Sequence, residues 1–142
     1  MNKFLIITGG SSGIGFAAAK LFQENGFSII NLSRSTINLD KALHFEVDLA
    51  SPDWQMSLES KLKEILQSSD KICLVHNASK MQSDNVESID ENSLREVLEV
   101  NLVGPTKLNK IIIPYMNKGS SILSLFFIIE KPVAVNPETD SK

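Results

Sequence analysis

Four of the seven glycines of this chain fall between positions 9 and 15, in the run Thr8-Gly9-Gly10-Ser11-Ser12-Gly13-Ile14-Gly15. Glycine lets a backbone turn sharply and approach a ligand with no Cβ in the way. A helix that opens directly after such a turn aims unpaired N–H groups at whatever lies in front of it, and an anion suits that position. The chemistry available here is therefore the grip of a phosphate or diphosphate. Gly9 would make the tight turn, Gly13 would let the main chain close on the phosphates, and Gly15 would let the helix entered at Ile14 lie close to the preceding strand. Ser11 and Ser12 add hydroxyl donors. The spacing is Gly-x-x-x-Gly-x-Gly with no Lys-Ser/Thr after it, which excludes a nucleoside triphosphate P-loop.

Such a turn works only if a strand precedes it and a helix comes after it. Phe4 to Ile7 is a continuous apolar run, read as a strand buried on both faces. From Ile14 to Asn25 the apolar residues Ala17, Ala18, Leu21 and Phe22 recur at helical spacing, and Gly26 ends the helix. Phe27 to Leu32 and Leu43 to Val47 read as the second and third strands. Ser51-Pro52-Asp53 has the residue types of a helix start, followed by a stripe of Trp54, Leu58, Leu62, Ile65 and Leu66. Ile72 to Val75 is a fourth strand, and the polar loop from Lys80 to Glu87 reads as mobile. Asp90 then caps a long helix whose stripe is Leu94, Val97, Leu98, Asn101, Leu102, Pro105, Leu108 and Ile112, with a kink expected at Pro105. Ser121 to Ile129 is a fifth strand. Strands alternating with helices imply βαβ crossovers, hence a doubly wound α/β fold with a parallel, Rossmann-like sheet of about five strands. The expected organisation is one dinucleotide-binding domain over 1–129 and an irregular tail over 130–142.

In folds of this kind the end of the second strand, about 20 residues past the glycine turn, selects between a ribose hydroxyl and a ribose phosphate. Here it reads Ser33-Arg34. No carboxylate is present to accept from a 2′-hydroxyl, whereas Arg34 offers a planar donor fork to a 2′-phosphate, so NADP(H) is expected in preference to NAD(H).

Thr-Gly-x-x-x-Gly-Ile-Gly near the N-terminus, Asp48 after the third strand, Asn77-Ala78 after the fourth and Asn101 in the next helix occur in that order over residues 1 to about 125. Together they resemble the short-chain dehydrogenase/reductase family. The resemblance implies hydride transfer between a nicotinamide dinucleotide and a small carbonyl or alcohol. It puts Asp48 beside the adenine amino group with Leu49 packed near it, Asn77, Ala78 and Ser79 along the cofactor, and Asn101 in the proton relay as the helix asparagine. Ser79 stands where the family usually carries glycine.

Other parts of the family pattern are missing from the chain. Phe126 and Phe127 occupy the place of the family's serine pair, and the single tyrosine, Tyr115, is followed four residues later by Gly119, so no Tyr-x-x-x-Lys exists. A phenol with a pKa of about 10 makes a poor base near neutrality without a neighbouring cation. The family chain also continues past the fifth strand through the helix that bears the tyrosine and lysine. The expectation is thus a C-terminally truncated oxidoreductase with little turnover of its own, or alternatively a non-catalytic dinucleotide-binding module or fragment. An apolar edge strand left without its covering helix invites self-association, so a homo-oligomer is expected.

Bulk properties narrow the class further. At 142 residues the chain fits one domain, and 42% apolar with 22% charged residues is ordinary globular usage, which excludes a rod or a disordered acidic tail. A formal charge of −3 provides no broad positive field, so nucleic acid is not an expected partner. Cys73 is the only cysteine, which rules out an internal disulfide framework and fits a reducing cytoplasm. Phe4 to Ile7 is too short for a membrane span or signal peptide. His44, His76, Cys73 and Trp54 read as packing residues rather than site residues.

Overall fold

The computed structural model describes residues 2–68, 70–82 and 87–125. The elements run β1 (Lys3–Thr8), α1 (Gly13–Glu24), β2 (Ser28–Ser33), β3 (Leu43–Glu46), α2 (Gln55–Ile65), β4 (Lys71–His76), α3 (Glu91–Leu98), a π-helical turn (Glu99–Val103), α4 (Gly104–Ile112), a 3₁₀ turn (Ile113–Tyr115) and β5 (Ser121–Ser124). The strands form one parallel sheet in the order β3-β2-β1-β4-β5. This is the doubly wound α/β arrangement that the alternation of strands and helices implies.

Period-two alternation divides the core between the two faces of the sheet. Phe4 and Ile6 of β1, Ile30 and Leu32 of β2, and Ile72 and Leu74 of β4 pack against Leu58 and Leu62 of α2 and Leu108 and Ile112 of α4. Leu5 and Ile7 of β1, Ile29 of β2 and Val75 of β4 face the other way, onto Ala18, Ala19 and Phe22 of α1. β1 is the middle strand and needs apolar side chains on both faces, which explains the unbroken run Phe4-Leu5-Ile6-Ile7. Each fully buried Leu or Ile contributes roughly 1.5–3 kcal/mol through removal from water.

Successive strands proceed from β1 to β2 and β3 on one side and from β4 to β5 on the other. Strand order therefore reverses between β1 and β4, and a crevice opens past their carboxyl ends. Thr8 and His76 end those two strands.

Two local expectations are corrected, and a third is seen only in part. The second helix begins at Gln55 and not at Ser51. The Ser51 N–H donates to the Asp48 carbonyl (3.0 Å) and the Asp48 carboxylate accepts from the Ala50 N–H (3.0 Å), so these residues form a turn closing β3, and Trp54 drops into the core. The long helix is three pieces, because Pro105 has no N–H to give Asn101, and the Gly104 N–H reaches instead to the carbonyl of Glu99, five residues back. The π turn rotates the face of α3 relative to that of α4. Leu108, Ile111 and Ile112 are buried, whereas Leu94, Leu98 and Leu102 of the same expected stripe are exposed. The fifth strand is described as Ser121–Ser124, extended by a bond from the Leu125 N–H to the His76 carbonyl (3.0 Å). Phe126, Phe127, the rest of the expected strand to Ile129, the tail 130–142 and residues 83–86 of the polar loop lie outside the described residues.

Candidate functional site

The glycine turn carries its strain at two residues, Gly9 (φ 66°) and Gly13 (φ 57°), both in the left-handed region. Gly15 is constrained by space: a Cβ there would overlap the Gly9 carbonyl and the Asn77 amide, whereas a Cβ at Gly13 would meet nothing within 4 Å. One glycine thus lets α1 close onto β1 and β4, and the other leaves the approach to the helix open. Ser12 sits at the N-cap in extended conformation without a side-chain capping bond, so its hydroxyl is not spent on the first turn of α1. Ile14 is exposed on that same turn.

The turn is held from both sides. The buried Thr8 hydroxyl accepts from the N–H groups of Asn77 and Ala78 (3.0 Å each), and the Asn77 side-chain amide donates to the Gly9 carbonyl (2.9 Å). On the other side the Gly10 N–H donates to Oδ1 of Asn31 (2.8 Å), and the Gly9 N–H to the Leu32 carbonyl (3.1 Å). Three strand ends, β1, β2 and β4, therefore meet at the glycines.

They frame a cleft of about 510 Å³. The glycine turn contributes Gly9, Ser11 and Ser12; the end of β2 contributes Ser33, Arg34 and Ser35; the turn after β3 contributes Asp48, Leu49 and Ala50. The segment after β4 adds Asn77, Ala78, Ser79 and Lys80, and the helical side adds Glu96 and Val100. Nine of the thirteen residues expected at a site share this one cavity. Gly13, Ile14 and Gly15 lie on the adjoining first turn of α1, and Asn101 lines a smaller neighbouring cavity of about 120 Å³ together with His76, Ser79 and Ser124.

Both polar atoms of the Asn101 amide bond to one residue. Its Oδ1 accepts from the Lys80 N–H and its Nδ2 donates to the Lys80 carbonyl, both at 2.8 Å. An amide on an otherwise apolar helix face must find such partners, and here it finds the chain leaving β4. The Lys80 ammonium pairs with Glu96 at 2.5 Å, fixing the same loop to α3 through a second contact. His76, read from the sequence as a packing residue, also lines the smaller cavity. Its Nε2 meets Oδ1 of Asn109 at 2.7 Å, and its buried Nδ1 has no partner among the described residues. Burial pushes the imidazole below its ordinary pKa, with the bond to Asn109 opposing that shift.

Sequence reading named Thr8 only as part of the motif and passed over Asn31, Lys80 and Glu96. For Asn31 a signal existed: a lone amide inside Ile29-Ile30-Asn31-Leu32, a run otherwise apolar enough for a buried strand. Lys80 and Glu96 carried no comparable signal, since their pairing depends on where the loop after β4 folds. Among the described residues no group of three or more His, Cys, Asp or Glu side chains could hold a metal ion, and no helix is long and apolar enough to cross a membrane.

Comparison with known proteins agrees with this geometry. The sequence profile described as short chain dehydrogenase matches residues 3–123. The chain is 30% identical over 124 residues to an uncharacterized oxidoreductase of Thermotoga maritima, covering 82% of this chain and 49% of that protein. It is 27% identical to a 3-amino-tetrahydro-pyrrolizinone reductase of Xenorhabdus hominickii, covering 83% and 43%. Among solved structures, ligand-free aldohexose dehydrogenase of Thermoplasma acidophilum superposes with a TM-score of 0.74 at 32% identity, covering 87% of this chain and 49% of that one. A 4-hydroxyisoleucine dehydrogenase complexed with NADH gives 0.69 at 27% identity, covering 79% and 48%. The chain spans about half the length of the curated relatives it matches. With the glycine turn, the β1–β4 crevice and the match over residues 3–123 in agreement, this chain belongs to the short-chain dehydrogenase family.

Proposed function

We propose that the chain is the cofactor-holding part of an oxidoreductase and binds a nicotinamide dinucleotide, NADP(H) in preference to NAD(H). The observation that carries this reading is the shared cleft: a glycine turn with an open helix entrance, an arginine at the end of β2 and a carboxylate after β3 all border one cavity of about 510 Å³. In this reading Gly9, Ser11, Ser12, Gly13, Ile14 and Gly15 surround the diphosphate. Arg34 takes the 2′-phosphate, Asp48 and Leu49 the adenine, and Asn77, Ala78 and Ser79 the ribose and the inner wall. The relative bound to NADH supports the cofactor class. The preference for the phosphorylated form rests on Arg34 and on the lack of a carboxylate at that strand end.

When bound, the cofactor supplies the hydride. The substrate class we assign by family is a small carbonyl or alcohol. By family Asn101 is the helix asparagine of the proton relay, and its amide also clasps the chain that leaves β4. By itself this 142-residue chain has no Tyr-x-x-x-Lys, and we assign it cofactor binding with little turnover. We take residues 1–129 as the dinucleotide-binding domain and 130–142 as a tail, and assign a reducing cytoplasm on the single half-buried thiol of Cys73. Self-association is part of the proposal, supported by Ile122 and Leu123 exposed on the edge strand β5.

Fluorescence titration with NADPH and NADH tests the reading. Arg34→Asp removes a charge-assisted contact of roughly 1.5–3 kcal/mol, so NADPH should weaken about tenfold or more while NADH changes little. Unchanged discrimination would remove Arg34 from the site, and no binding of either cofactor would overturn the proposal.

A further inference from the structure

Asn31 is fully buried in β2, and its amide oxygen and both amide hydrogens are hydrogen-bonded. Its Oδ1 accepts from the Gly10 N–H at 2.8 Å. Its two Nδ2 hydrogens go to Oγ of Ser33 at 2.8 Å and to Nδ1 of His44 at 3.1 Å. Because that nitrogen can only donate, the Ser33 oxygen must accept, and the Ser33 proton is left to point onward to the Ser35 carbonyl at 2.5 Å. The last bond spans Arg34 and closes the backbone on either side of it. Among the described residues the Arg34 guanidinium itself has no ion pair or hydrogen bond, so its placement depends on that closed backbone.

The glycine turn is shaped around the same amide. A Cβ at Gly10 would stand 2.6 Å from Oδ1 of Asn31. One side chain thus reaches the diphosphate end of the cleft through Gly10 and the ribose end through Ser33. Leucine in its place would leave the Gly10 N–H without a partner, and aspartate would reverse the polarity toward Ser33.

We infer that Asn31, acting through Ser33, is a positioning residue that presets the turn carrying Arg34 and so sets the preference for a 2′-phosphorylated dinucleotide. This rests on the reading of Arg34 as the phosphate ligand. Loss of the relay should cost NADPH more than NADH, since only the phosphorylated cofactor would use Arg34. A general loosening of the fold would weaken the two alike.

The test is calorimetric titration of the 142-residue chain with NADPH and NADH, in Ser33→Ala, Asn31→Ala, Arg34→Ala and the double variant Ser33→Ala/Arg34→Ala. Should Asn31→Ala fail to fold, Asn31→Asp replaces it. Aspartate keeps the acceptor for Gly10 and draws the Ser33 proton away from Ser35. Ser33→Ala and the Asn31 variant should each lower the preference for NADPH over NADH about fivefold, an ordinary hydrogen-bond effect. In the Arg34→Ala background Ser33→Ala should then change nothing further, because two residues acting as one unit are not additive. Arg34→Ala effective with both relay variants silent overturns the inference and leaves the proposed function intact. Ser33→Ala still effective without Arg34 also overturns it, by showing Ser33 acting on the cofactor directly. Arg34→Ala silent overturns the phosphate reading and this inference together.

Discussion

The half of the molecule built from β1, β2 and the glycine turn and the edge built from β5, α3 and the π turn differ in how fully the chain covers itself. In the first, Leu5, Ile6, Ile7 and Ile30 are completely buried, and the Thr8 hydroxyl oxygen and the Asn31 amide are hydrogen-bonded there. In the second, every residue of β5 is exposed, as are Leu94, Leu98 and Leu102. The same residue types thus have different energetic weight according to which region holds them. The lesson is that the described residues pack the glycine turn and the strands beside it tightly, whereas the far edge presents apolar side chains to solvent.

The sharpest way to break that comparison is to delete the same side chain in each region. Ile6→Ala, in the central strand, should destabilise by about 2–5 kcal/mol, and Ile122→Ala, on the edge strand, by less than about 1 kcal/mol, as read by urea denaturation. Similar losses at the two positions would show that β5 is covered in solution. Gly15→Ala comes next: the added methyl meets the Gly9 carbonyl and the Asn77 amide, so a loss of about 1–3 kcal/mol should accompany loss of dinucleotide binding. Thr8→Val keeps shape but removes the acceptor for two N–H groups; a loss of about 1–3 kcal/mol by thermal denaturation is expected, with weaker cofactor binding.

A smaller effect should appear with pH on the other side of the crevice. His76 is held neutral by burial, with a folded pKa below the ordinary 6.5. Its contribution is therefore complete above about pH 6.5 and declines as pH falls from there through the folded value, because the unfolded chain takes up the proton first. Denaturation midpoints between pH 7.5 and 5.5 should drop in the wild type, and the drop should shrink in His76→Gln. An equal drop in both would assign the dependence to other groups. The smallest change in monomer stability should come from Leu123→Ser on β5, within about 0.5 kcal/mol. Its effect should instead be a shift toward monomer in sedimentation, and an unshifted profile would separate β5 from self-association.

Much of the first half was legible because its signals are local and mutually consistent. A four-residue apolar run, a glycine cluster and an amphipathic helix could only be strand, turn and helix in that order, and Gly9, Ser12, Arg34, Asp48 and Asn77 line one cleft. Ser51-Pro52-Asp53 misled because the Asp48 carboxylate takes the Ala50 N–H first and turns the chain before a helix can start. The stripe from Leu94 to Ile112 misled for another reason: one proline changes a hydrogen bond from four residues to five, and a regular spacing in sequence ceases to be one face in space. Asn31 was visible as an oddity, but its partners come from Gly10, Ser33 and His44, whose proximity only the folded sheet creates.

The clasp between Asn101 and Lys80 has a consequence for the shape of the crevice wall. By offering one acceptor and one donor to the same residue, the side-chain amide imitates the rung that an adjacent strand would provide. At Lys80 the polypeptide leaving β4 is held by a helical turn standing in for a sheet neighbour, and neither of that residue's backbone groups is left for another molecule to extend.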